Sequence, residues 1–200
     1  MVSLQTLLEP IKPVPRYLKG LTPKLNTQIH PIQTYIPPHL ELTPQDITAI
    51  TQGLTNRTLT LNTYPYQTAL LRQLGKQTLL FKVYTSTIFS GQRYLTSSPY
   101  EISHDLSYFT NDSVLPQVMR RNGIYDCCVV DERLVSSERI EYERYLEKIE
   151  KVKDKTAIGS LFTLIGVIKV KYGDKEAKSV CEKLVEGKRG IIEIAQERLN

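Results

Sequence analysis

The feature that most constrains the fold of this chain is the density of proline near its N-terminus. Residues 10–40 contain seven of the eleven prolines, four basic residues and no acidic residue. Each proline removes a backbone donor and disfavours helix at the residue before it. The same segment carries apolar side chains every three or four positions, which is unusual for a solvated linker. We therefore predict that residues 1–41 form an extended, proline-rich arm that lies on a surface of its own chain or of a partner.

The apolar residues of this arm are its expected anchors. A fully buried large side chain contributes about 1.5–3 kcal/mol, whereas an exposed ion pair contributes up to about 1 kcal/mol. We predict that Tyr17, Leu18 and Leu21 anchor the arm and bind a partner. The partner is expected to be another protein or a second copy of the chain.

Residues 42–135 are predicted to form a small mixed or antiparallel sheet with short helices. Thr43, Pro44 and Asp46 match the start of a helix that begins with a capping box, and Gly53 would end it. Alternating apolar and polar residues predict strands, and stop signals predict short helices between them. The predicted elements are a strand at 57–63, a helix at 66–74 ended by Gly75, a strand at 77–89, a helix from 113 to 121 and an apolar strand at 124–130.

Residues 136–200 are predicted to form a helical bundle, which makes the whole chain an α+β protein. Apolar residues recur there with helical spacing, most clearly at Ala177, Val180, Cys181, Leu184 and Val185. The uncharged run at 156–168 would form a helix of about 20 Å, shorter than the roughly 30 Å core of a bilayer. We interpret this run as a buried helix, the second of four in this region, rather than as a membrane span.

Acidic residues are absent from Ile47 to Tyr100, although basic and aromatic residues occur throughout this stretch. A surface without carboxylates does not repel phosphate or an acidic partner, and it lacks groups that much acid–base and metal chemistry requires. The stretch is depleted in acid without being enriched in base. Because tyrosine is common and lysine and glutamate are scarce at protein interfaces, a close protein contact fits this composition.

Two alternative functions remain open at this stage. An acid-free sheet that bears basic and aromatic side chains could bind nucleic acid by stacking and backbone contact. The residues that would do so are Arg57, Arg72, Lys76, Lys82, Tyr84, Arg93 and Tyr94. A second alternative is an enzyme in which Asp105 orients His104 and Cys127 acts as the nucleophile.

No phosphate-binding loop, dinucleotide fingerprint, zinc motif or nucleophile elbow occurs in the sequence, so we assign no catalytic residues, metal ligands or cofactor. Three cysteines without a repeated spacing favour a reducing compartment, and we expect a cytoplasmic protein. The sequence favours a non-enzymatic interaction protein or structural component of a larger assembly.

Overall fold

The computed structural model describes residues 32, 34–90, 98, 100, 107–111, 113–130 and 142–199. Helix predominates in these residues, and they also contain a two-stranded antiparallel sheet. The chain thus combines helices with a small sheet, as an α+β protein does. The elements are α1 (Pro44–Thr51), β1 (Thr58–Leu61), β2 (Tyr64–Gln67), α2 (Thr68–Ser90), α3 (Leu115–Arg121), α4 (Ile124–Cys127), α5 (Tyr142–Tyr172), α6 (Asp174–Glu186) and α7 (Ile191–Leu199).

Helix α1 starts with the predicted capping box. The side chain of Thr43 accepts a hydrogen bond from the backbone N–H of Asp46, and the Asp46 carboxylate accepts one from the backbone N–H of Thr43 at 2.8 Å. Asp46 is buried and also pairs with Lys171 near the end of α5 at 2.8 Å. The local start signal therefore also joins α1 to the long C-terminal helix.

The strand predicted at 57–63 is confirmed over residues 58–61 as β1, which pairs with β2 in a hairpin. Leu61 lies opposite Tyr64, and the two residues of the turn, Asn62 and Thr63, have φ values of 49° and 73°. Positive φ at both positions is the signature of a type I′ turn, whose twist matches that of the strands. The amide of Asn62 donates to the carbonyls of Val170 and Lys171, which ties the hairpin to α5.

The helix predicted at 66–74 is confirmed from Thr68 onwards, but it does not end at Gly75, and the strand predicted at 77–89 is wrong. Residues 66 and 67 belong to β2, and one helix, α2, runs from Thr68 through Gly75 to Ser90. The run at 77–89 resembles a strand because it is rich in Thr and in apolar side chains on both faces. In the structure, Leu71, Leu79 and Val83 are buried with helical spacing against α5 and α6, so tertiary packing overrides the local preference for strand.

The predicted strand at 124–130 is also wrong. One helical turn, α4, follows Gly123 at φ 70°, and residues 128–130 then continue without regular structure. The backbone N–H of Val129 donates to the carbonyl of Thr51 at 2.9 Å. A short apolar run fits a buried helical turn as well as a strand, so periodicity could not separate the two. The helix predicted to end at Arg121 is confirmed as α3.

In the C-terminal region, the two helices expected on either side of residue 155 are a single helix of 31 residues, α5. The spacing prediction for α6 is confirmed, because Ala177, Val180, Cys181, Leu184 and Val185 are all buried. Helices α2 and α5 run antiparallel and make the most extensive helix–helix contact in the described part of the chain.

Glycine permits the close approach of α2 to α5. A Cβ added at Gly75 would lie 1.9 Å from the carbonyl oxygen of Phe162, and one at Gly166 would lie 2.0 Å from that of Leu71. The core around this contact includes residues from 42–130 and from 142–199, together with Ile32 and Ile36. The division into segments at 41 and 135 stays a prediction.

Candidate interaction surface

Helix α2 carries a second apolar stripe on the side that faces away from α5. We call it the outer seam and define it as Leu70, Leu74, Gln77, Phe81, Tyr84 and Ile88. The exposed fractions are 64% for Leu70, 65% for Phe81, 37% for Tyr84 and 43% for Ile88. At 100° per residue these six positions fall within an arc of about 80°. Their alternating spacing of four and three residues is that of the contact positions of a coiled coil.

The outer seam has an uncharged border. Gln73 and Leu80 lie along one side of it, and Thr78 and Thr85 lie along the other. Thr78 donates to the carbonyl of Leu74 at 2.8 Å. Helix α2 contains no carboxylate along its whole length, so no negative charge adjoins the seam on this helix.

Two of the three cations of α2 have partners within the chain. Arg72 donates to the carbonyl of Gly53 at 2.9 Å and to the side chain of Asn56 at 2.6 Å, and burial lowers its pKa. Lys82 lies 2.9 Å from Glu186 and 3.4 Å from Glu182. Burial lowers the pKa of Lys82, but the two glutamates outweigh this effect and the net pKa is raised.

The residues predicted to bind nucleic acid do not lie together on a sheet. Arg72, Lys76, Lys82 and Tyr84 are all in helix α2, and the half-buried Arg57 precedes β1. Lys76 is exposed, and Tyr84 belongs to the outer seam. Arg93 and Tyr94 lie outside the described residues.

Of the alternative catalytic group, His104 and Asp105 lie outside the described residues. Cys127 is buried at the end of α4, and burial raises the pKa of its thiol to about 11. Burial likewise raises the pKa of Cys128 to about 11 and that of Cys181 to about 12. Thiols with these pKa values are protonated at neutral pH, whereas the thiolate is the nucleophile. These cysteines act as small apolar core residues.

The predicted anchors of the arm, Tyr17, Leu18 and Leu21, lie outside the described residues. The described residues at the C-terminal end of the predicted arm do contribute to the fold, because Ile32, Ile36 and Pro37 are buried. They line one side of an apolar groove of about 240 Å³, and Ile47 and Ile50 of α1 line the other.

Sequence reasoning located the acid-free region but missed the outer seam within it. Leu70 falls in the helix predicted at 66–74, whereas Phe81 and Ile88 fall in the strand predicted at 77–89. The spacing of four and three residues from Leu70 to Ile88 was the available signal. It was obscured because a break at Gly75 divided the stripe between two predicted elements.

No helix in the described residues has the length and apolar character needed to cross a bilayer. The same part of the chain contains no cluster of three or more His, Cys, Asp or Glu side chains arranged to hold a metal ion. The outer seam is the most extended exposed apolar feature of α2. Comparisons of the chain with models of protein families, with curated proteins and with solved structures found no match.

Proposed function

We propose that this protein is a non-enzymatic interaction protein, a component of a larger assembly, and that it contacts its partner through the outer seam of α2. One observation carries the proposal: α2 is apolar on two opposite faces, and the other described residues cover only one of them. A helix of a soluble protein normally has one apolar stripe that faces the core and a polar opposite face. A second stripe that exposes Leu70, Phe81, Tyr84 and Ile88 supports a contact with another molecule.

The composition around the seam supports a protein partner. Aromatic residues are enriched and charged residues are depleted at the centres of protein interfaces. Phe81 and Tyr84 lie near the middle of the seam, and the four bordering residues are uncharged. An apolar centre with a Thr- and Gln-rich border resembles an interface core more than a phosphate-binding surface.

Nucleic-acid binding is the weaker proposal for the same region. It depends on cations that are available to phosphate, and Arg72 and Lys82 already have partners within the chain. The two proposals predict a different dependence of binding affinity on salt concentration. Phosphate contacts weaken steeply as salt rises, whereas apolar contacts do not.

The arm remains a second predicted contact, through Tyr17, Leu18 and Leu21. Its apolar pattern supports docking on a surface in the same assembly. The expected cytoplasmic location is part of the proposal and is supported by the number and spacing of the three cysteines, which favour a reducing compartment.

The proposal is tested with tagged full-length chain purified from its own cells. Wild type is compared with Phe81→Glu in the seam and with Lys76→Glu, an exposed control on the same helix but outside the seam. We expect Phe81→Glu to reduce the recovery of specific partner proteins, including an untagged second copy, by roughly tenfold or more, because a carboxylate in an apolar contact is desolvated. The control should retain these partners at low and high salt. Equal recovery by Phe81→Glu and wild type would contradict the proposal.

A further inference from the structure

The outer seam has a pattern that is complementary to itself. Its six positions are separated by four, three, four, three and four residues, so the spacing is the same in both directions. Two copies of α2 can be placed antiparallel with residue 79 of one level with residue 79 of the other. In this arrangement Leu70 faces Ile88, Leu74 faces Tyr84 and Gln77 faces Phe81. Each contact then occurs twice, which is the property of an interface about a two-fold axis.

The charges near the outer seam also favour a second copy of this chain as the partner. In coiled coils, charged residues beside the contact positions select the partner, but here those positions hold Gln73, Thr78, Leu80 and Thr85. A basic segment, such as residues 10–40 with four basic and no acidic residues, would find no carboxylate on α2. A partner with acidic borders would find Arg72 and Lys82 already engaged, and the exposed Lys76 lies outside the seam. A second copy presents an equally uncharged border and needs no charge pairing.

Gln77 is the one polar residue in the outer seam. A buried amide is costly unless it forms hydrogen bonds, so the partner must supply a polar group near the middle of the stripe. In the antiparallel arrangement, Gln77 faces Phe81 of the second copy, and the adjacent pair of facing residues contains Tyr84. The second copy thus supplies the Tyr84 hydroxyl close to Gln77. In a parallel arrangement it supplies its own Gln77. A polar residue at such a position fixes the register of paired helices and reduces their affinity.

We infer that the outer seam of α2 binds the outer seam of a second copy of this chain and forms a two-fold symmetric dimer. This inference rests on the proposed function and names the partner of that surface. The seam spans 19 residues, or about 28 Å of helix, which is short for a dimer interface. We therefore expect a dimer whose formation depends on concentration, with a dissociation constant of about micromolar order.

The test is the oligomeric state of the purified full-length chain, measured by sedimentation velocity over a wide range of concentration. The mass should rise with concentration from 22.9 kDa towards twice that value. Phe81→Glu should raise the dissociation constant by at least about 100-fold, because it buries two unpaired charges per dimer. Gln77→Leu should lower it by roughly tenfold, because it removes the polar residue from the contact. Lys76→Glu should change the dissociation constant by less than about threefold from the wild-type value, because this exposed site lies outside the seam.

Circular dichroism of each variant separates loss of binding from loss of folding. Phe81, Gln77 and Lys76 are exposed in the monomer, so each variant should keep the helical spectrum of wild type. A chain that is monomeric at every concentration would overturn the inference, and so would a dimer that Phe81→Glu leaves intact. If the purified chain is monomeric but Phe81→Glu loses partners in cells, the dimer is wrong and the proposed function stands. If the chain forms no dimer and Phe81→Glu keeps all its partners in cells, both the dimer and the proposed function are wrong.

Discussion

The two faces of α2 show how one helix can be apolar on both sides for different reasons. The inner face combines Leu71, Leu79 and Val83 with Gly75, and it packs so closely that there is no room for a Cβ at residue 75. The outer face carries larger side chains, Phe81 and Tyr84 among them, that remain accessible to solvent. Close packing of small and branched residues stabilises the monomer, whereas exposed large residues stabilise it little and are available for a contact.

The largest expected difference between the faces comes from truncating one side chain on each. Leu79→Ala should lower the free energy of unfolding by about 2–5 kcal/mol, because it removes a buried side chain and leaves a cavity. Phe81→Ala should change the stability of the monomer by less than about 0.5 kcal/mol. Urea denaturation of dilute protein measures both values. Similar losses for the two variants would mean that the outer face is covered within the monomer.

A smaller effect is expected where α2 touches α5 most closely. Alanine favours helix over glycine by about 1 kcal/mol, so Gly75→Ala would stabilise an exposed helix. Here the added methyl group would meet the carbonyl of Phe162, and we expect a net loss of about 1–3 kcal/mol. Lys76→Ala, at the next residue and exposed, is the control and should change the melting temperature little. A more stable Gly75→Ala variant would show that the two helices can move apart at no cost.

The smallest effect concerns the ion pair at the far end of α2. Hydrogen bonds from Ser86 and Lys82 lower the pKa of Glu186 below its usual value of 4.5. A lowered pKa means that this carboxylate stabilises the fold above pH 4.5 and that its contribution is lost as the pH falls through the folded-state pKa. Glu186→Gln should therefore cost up to about 1 kcal/mol at neutral pH, because the Glu186 side chain is about half exposed, at 49%.

Denaturation at neutral pH and at about pH 3 checks this prediction, since the difference between Glu186→Gln and wild type should shrink once the carboxyl is protonated. Raising the salt concentration at neutral pH should reduce the difference as well. A difference that stays constant with pH would assign the effect to the altered hydrogen bond with Ser86 rather than to charge.

Local signals predicted some elements correctly because they act within a few residues of the chain. The capping box at Thr43 and Asp46 marked the start of α1, and the spacing of buried residues marked α6 from Ala177 to Val185. The prediction failed in α2, where Gly75 was interpreted as a stop signal. That glycine lies inside the helix because the backbone of Phe162, 87 positions away in sequence, comes close to it. No local pattern contains this information.

The sequence alone determined where charge is absent and where helices start with strong caps. It located the acid-free stretch that contains the proposed interaction surface, because composition does not depend on folding. Only the tertiary structure decided that residues 68–90 form one helix and which of their side chains face solvent. The physical reason is that α2 is apolar on two faces, and only contacts with α5 and α6 determine which face is buried. The opposite face, with Leu70, Phe81 and Ile88, thereby became the exposed outer seam.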